Sequence, residues 1–184
     1  MEKEQLAQFL NHYLSLATII GGIIVFIFAI FVFYKIIKKE QNSFLNFVSK
    51  NALLIGFITT LGGTFLTLFY SEYLQYKPCD LCWFQRIFLY PQMIIFGLAM
   101  WKKDFGIYIY TLVLSLIGLA FAVYHHMLQI GYDIYKPCSE APFAVDCAKP
   151  SFIEFGFVTF PFMAVVLFAF LVILSIIGIR YLKK

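Results

Sequence analysis

The stretch LSLATIIGGIIVFIFAIFVFY, Leu14–Tyr34, carries no charged residue and almost nothing polar. About 20 apolar residues at ~1.5 Å each cross a hydrocarbon core of ~30 Å, so the run reads as a membrane-spanning helix. Four more stretches have the same character: Asn51–Tyr70, Trp83–Trp101, Phe105–Tyr124 and Phe155–Ile179. None alternates apolar with polar residues as a membrane barrel strand does, so all five read as helices. Pro91 and Pro161 fall inside two of them and are expected to kink them. Composition agrees with an all-α integral membrane protein. Residues are 62% hydrophobic and only 13% charged, against about 25% charged in soluble domains. That excludes a water-soluble domain, and 23 phenylalanines exclude disorder.

The first run does not read as a cleaved secretion signal. It is too long, its flank Glu2-Lys3-Glu4 has no net positive charge, and no small-residue cleavage site follows. Orientation then follows from short-loop Lys and Arg. Loops 35–50 and 102–104 with the tail 180–184 hold nine: Lys35, Lys38, Lys39, Lys50, Lys102, Lys103, Arg180, Lys183 and Lys184. The amino terminus with loops 71–82 and 125–154 holds four: Lys3, Lys77, Lys136 and Lys149. The nine-residue side is expected to be cytoplasmic, with the amino terminus outside. The net charge of +4 is then mostly topology and points to no nucleic-acid partner.

All four cysteines, Cys79, Cys82, Cys138 and Cys147, fall in the two loops assigned to the outside. Disulfides are permitted there. Pro78-Cys79-Asp80-Leu81-Cys82 is a Cys-x-x-Cys just ahead of an apolar helix, where the helix dipole favours a thiolate. Cys138 and Cys147 lie in a longer loop, 131–154, containing Pro137, Pro142 and Pro150. Two structural disulfides are the plain alternative. Zinc held by four thiolates is a weaker one, since the cysteine loops contain no histidine, and no metal is expected.

Arg86 follows Cys82 by four residues and so shares its helix face. A cation ~5 Å below the start of the span is either snorkelling to headgroups or serving a site. His125 and His126 end the fourth run at a similar depth, and two adjacent histidines point in different directions. His12, at the outer end of the first run, has no such context. Redox cysteines beside a membrane-embedded guanidinium suggest electron transfer between thiols and a lipid-soluble quinone. Its carbonyls would accept hydrogen bonds from Arg86 and His125. Thiol–disulfide exchange would carry oxidising equivalents out to Cys138 and Cys147.

The segment from Pro78 to Arg86 resembles the Pro-Cys-x-Leu-Cys-x-x-Gln-Arg signature of the disulfide bond formation protein B family (DsbB, and BdbC in Gram-positive organisms). Pro137-Cys138 to Cys147 and the stretch Phe155–Phe162 are similar to the BdbC branch. His125 with Met127-Leu128-Gln129 resembles the family's histidine ahead of the second cysteine loop. The likeness spans about residues 55–180. It implies an up-and-down four-helix transmembrane bundle over 51–184, preceded by an extra transmembrane helix and cytoplasmic loop over 1–50, five spans in all. It implies a disulfide-generating thiol:quinone oxidoreductase, using ubiquinone or menaquinone, in the bacterial cytoplasmic (inner) membrane. The implied partner is a DsbA/BdbD-like thioredoxin-fold oxidase. That partner would attack Cys138, Cys147 would exchange with Cys79, and Cys82 would be freed towards the quinone beside Arg86. His125 would be a quinone neighbour. The extra helix departs from the family's common pattern, and the Cys138–Cys147 spacing is shorter than in many proteobacterial relatives.

Two alternatives remain beside this reading. A vitamin K epoxide reductase-like enzyme also couples cysteine pairs to quinone, but its quinone-proximal Cys-x-x-Cys follows the loop cysteines, whereas here it comes first. A non-enzymatic membrane protein with two structural disulfides would leave Arg86 without a purpose.

Overall fold

The computed structural model describes residues 2–38, 42–132 and 145–181. Cys138, Pro137 and Pro142, with Lys39, Lys136, Lys183 and Lys184, lie outside them. The described chain forms α1 (Glu2–Ile37), α2 (Ser43–Lys50) and α3 (Ala52–Leu68), then a π-helical turn (Phe69–Tyr73). It continues with α4 (Asp80–Lys102), α5 (Tyr108–Gln129) and α6 (Phe160–Tyr181). The only β pairing among the described residues is one bridge, Glu154 with Val158. Five helices are long and apolar enough to cross a membrane: Lys3–Ile37, Ala52–Tyr73, Asp80–Lys102, Tyr108–Gln129 and Phe160–Arg180.

Helices α3 to α6 form the bundle, with α3 on α4, α4 on α5, and α5 on α6. α3 also touches α6, and α1 packs along α6 from outside. Large apolar side chains on α1 remain exposed, among them Phe26, Ile27 and Phe33, as befits a lipid-facing helix. The core is densest in the half away from the cysteines, where Phe96, Tyr108, Phe168, Leu171 and Ile177 are fully buried. Three of its rings lie flat on glycines of a neighbouring helix. A Cβ at Gly56, Gly118 or Gly178 would sit 2.5–2.6 Å from ring atoms of Phe96, Phe168 or Tyr108. Gly118→Val should therefore push α5 from α6 and destabilise by about 1–3 kcal/mol. Thermal unfolding in detergent should report it, while Gly21→Val, which meets nothing within 4 Å, should melt like the parent.

Three expectations need correction. The last span does not begin at Phe155. Phe155 (φ 53°) and Gly156 (φ 80°) are left-handed and form a tight turn, closed by Val158 N–H donating to Glu154 O at 2.9 Å. α6 begins at Phe160 instead, so Pro161 lies in its first turn, where no amide donor is needed and no kink results. Loop 35–50 contains α2, capped by Asn42, whose Oδ1 accepts from Phe44 N at 2.8 Å. α2 buries Leu45 and Val48 and packs on α6.

The amino end of α1 lies at the end of the bundle that carries the cysteines. Lys3 Nζ donates to Tyr73 O at 3.1 Å, and His12 Nδ1 lies 3.6 Å from a Glu154 carboxylate oxygen.

Candidate active site

After Tyr73 the chain turns at Gln75 (φ 60°) and runs through Pro78 to Cys79, the N-cap of α4 (φ −81°, ψ 173°). Cys82 then falls in the first helical turn, and Trp83 N–H donates to Cys79 O at 3.2 Å. Both sulfurs are free thiols, 3.1 Å apart. They sit at a helix amino terminus, whose partial positive charge favours a thiolate.

A buried imidazole addresses the first sulfur. His125 has no exposed surface, and its Nε2 lies 3.6 Å from Cys79 Sγ. The Gln85 amide nitrogen lies 3.0 Å from His125 Nδ1. The Gln129 amide nitrogen lies 3.2 Å from Nε2, so each ring nitrogen has an amide against it. Nε2 also faces Cys79 Sγ and the Cys147 carbonyl, 3.2 Å away. Gln129 donates to the same carbonyl at 3.4 Å. Cys147 is disulfide-bonded and buried, and it packs in one cluster with Cys79, Leu81 and Leu128. The second cysteine loop thus reaches the Cys-x-x-Cys despite its short spacing.

These donors hold the Cys79 thiol down to about 4. The hydrogen bond from Cys82 acts first, burial opposes it, and His125 adds a further hydrogen bond and its charge. A pKa lowered on folding contributes stability above the unfolded thiol's value and loses it as pH falls through the folded one. The stabilisation of the reduced form is therefore full above about pH 9 and is lost progressively as pH falls from about 9 to about 4. Stabilising the dithiol makes the corresponding disulfide a stronger oxidant. His125→Ala is expected to raise this pKa, so alkylation of Cys79 in the reduced protein should slow markedly at pH 6 and recover at pH 9. An unchanged pH profile of alkylation would rule this role out.

Arg86 is buried one turn deeper. Its Nη2 donates to Thr67 O at 3.0 Å and its Nη1 to Ser71 Oγ at 3.4 Å, with the guanidinium 5.2 Å from the Trp83 ring centre. No carboxylate pairs with it among the described residues. Five donors with two acceptors leave N–H groups for a ligand.

Those groups open into a cleft between α3, the π-helical turn, α4 and α6, enclosing about 870 Å³ with its open mouth included. Cys82, Gln85 and Arg86 line one side, and Tyr70, Tyr76 and Phe160 line another. An apolar slot with a few convergent donors suits a flat ring bearing carbonyl acceptors. Cys79 and His125 are not among the lining residues. The two sulfurs therefore face different ways, Cys82 to the cleft and Cys79 to His125 and Cys147. Sulfur and imidazole donors of Cys79, Cys82 and His125 also lie within 4.8 Å of one another, three corners of a soft-metal site.

Of the residues expected from sequence, Cys82 and Arg86 line the cleft, Cys79, Cys147 and His125 cluster together, so His125 does not lie on the cleft as expected, and Cys138 lies outside the described residues. His126 turns away, its Nδ1 3.2 Å from Thr159 Oγ1. Sequence reasoning missed Gln85 as the partner of His125, Thr67 and Ser71 as partners of Arg86, and Tyr70 as a wall. Gln85 was findable as an amide inside an apolar run. The small hydroxyl residues carry no such signal.

A family model described as "Disulfide bond formation protein DsbB" matches residues 49–178. The SPbeta prophage-derived disulfide bond formation protein B of Bacillus subtilis (strain 168) is 42% identical over 120 residues, 65% of this chain and 80% of that protein. The probable disulfide formation protein C 1 of Bacillus anthracis is 38% identical over 124 residues, 67% of this chain and 86% of its own. The disulfide bond formation protein C of B. subtilis is 34% identical over 121 residues, 65% and 83% of the two chains. No solved structure matches.

Proposed function

Because the chain belongs to the disulfide bond formation protein DsbB family, we propose that it is a membrane thiol:quinone oxidoreductase. It reoxidises a thioredoxin-fold dithiol oxidase of the DsbA/BdbD kind outside the bacterial cytoplasmic membrane. The observation that carries this reading is the division of the two sulfurs. Cys82 shares an apolar cleft with the buried Arg86, while Cys79 faces Cys147.

The partner's thiolate attacks Cys138 of a Cys138–Cys147 disulfide, forming a mixed disulfide and releasing Cys147 as thiolate. Cys147 attacks Cys79 of an oxidised Cys79–Cys82 pair, and the Cys82 thiolate leaves. The partner's second thiolate displaces Cys138, and the partner departs oxidised. Cys138 then re-forms its bond to Cys147, and Cys79 leaves as thiolate. The partner has lost two electrons and Cys79–Cys82 has gained them.

His125 steadies the Cys79 thiolate as it leaves. Arg86 orients a carbonyl oxygen and holds negative charge beside Cys82. A bound quinone supplies the two-electron, two-proton sink that restores the Cys79–Cys82 disulfide. The nine-to-four Lys and Arg count supports placing the cysteines outside.

The test is quinone reduction by a reduced thioredoxin-fold partner in purified membranes, followed by quinone absorbance. Quinone-dependent turnover with oxidised partner as product is expected. Cysteines that stay oxidised when membranes lack quinone and receive excess dithiol would instead identify structural bridges.

A further inference from the structure

The family match begins at residue 49, so α1 lies outside it. Yet α1 touches a residue of the cleft wall. Its outer half buries Ala7, Asn11 and Ser15, spaced by four, on one face. Asn11 is only 4% exposed, inside a helix otherwise turned to lipid. A buried amide is costly unless it is partnered.

Its partner is Tyr70, whose hydroxyl donates to Asn11 Oδ1 at 2.8 Å. The Tyr70 ring is 3% exposed, lines the cleft, and is the hub of its aromatic wall. It meets Phe160 edge-on at 4.7 Å and Tyr76 at 5.7 Å, and both of those rings line the cleft too. The π-helical turn sends adjacent residues to opposite tasks, Tyr70 to α1 and Ser71 to Arg86. Such turns recur at functional sites. Lys3 secures the same turn a second time, through Tyr73 O and the face of the Tyr73 ring at 4.9 Å.

We propose that α1 is part of the ligand site: Asn11 is a positioning residue that, through the Tyr70 hydroxyl, sets the aromatic wall against which a flat quinone ring lies. The inference rests on the quinone reading. One face of the slot supplies Arg86 and Cys82, and the other supplies rings whose angle α1 holds.

The test uses full-length protein with short-chain ubiquinone and, separately, short-chain menaquinone, and a reduced thioredoxin-fold partner as donor. Asn11→Ala and Tyr70→Phe should each raise KM for the quinone roughly two- to tenfold, the scale of one lost hydrogen bond. kcat and KM for the dithiol should stay as in the parent. The double variant should show no further rise, because both changes remove one interaction. Tyr70→Phe keeps the ring and removes only the donor, so it decides the matter should Asn11→Ala fold poorly. An unchanged quinone KM in Tyr70→Phe overturns the proposal, as does an equal loss towards both substrates. If the parent consumes neither quinone, the ligand reading itself falls. If it consumes quinone and the variants match it, only the role of α1 falls.

Discussion

Cys82→Ser is expected to abolish quinone reduction by dithiols, a loss of at least roughly a thousandfold, because the cysteines act as one unit. Serine keeps the size and the helical position, so the protein should remain folded. What disappears is the only thiol that lines the cleft among the described residues. Cys79 remains beside His125 and Cys147, so a mixed disulfide with the partner should still be trapped on the outer pair. Undiminished quinone absorbance change in this variant would count decisively against the division of labour between the sulfurs.

Arg86→Lys is the second large effect. The guanidinium spans two acceptors at once, Thr67 O and Ser71 Oγ, and lies near the Trp83 ring. A lysine ammonium lacks the planar fork and cannot hold both while presenting a donor to the cleft. Hydrogen bonds to charged groups are worth about 1.5–3 kcal/mol. The KM for quinone should therefore rise about tenfold to a hundredfold. The KM for the dithiol partner should barely move, since Arg86 does not reach Cys79 or Cys147. Steady-state kinetics with each substrate varied in turn decides it. A matched rise for both substrates would mean that Arg86 only supports the fold.

Much of this was legible in the chain. Five uninterrupted apolar runs can be satisfied only as helices in lipid, and Cys-x-x-Cys ahead of one of them places sulfur at a helix amino terminus. Arg86 announced itself as a charge inside a span. What stayed hidden depends on tertiary contact. α2 is two turns long, too short for periodicity to identify. The π-helical turn at Phe69–Tyr73 straddles the end of an apolar run, where composition does not register an extra residue in the helix. Phe155 and Gly156 read as span because hydropathy does not register a left-handed turn. Asn11 looked like an ordinary polar residue near an interface, and only the approach of Tyr70 gives it meaning. His125 was expected beside the ring, whereas its position against Cys79 could be read only once α4, α5 and the second loop had met.

The thiols and the cleft occupy the same end of the bundle. Arg86 lies six residues into a 23-residue helix, only about 9 Å along it at ~1.5 Å per residue. In the proposed reaction, electrons passing from Cys147 through Cys79 to the cleft would therefore travel little along the bilayer normal. A transmembrane voltage acts on charge in proportion to the fraction of the field it crosses, at about 2.3 kcal/mol per full charge per 100 mV. In the proposed reaction the electron-transfer step itself would therefore be nearly indifferent to the membrane voltage.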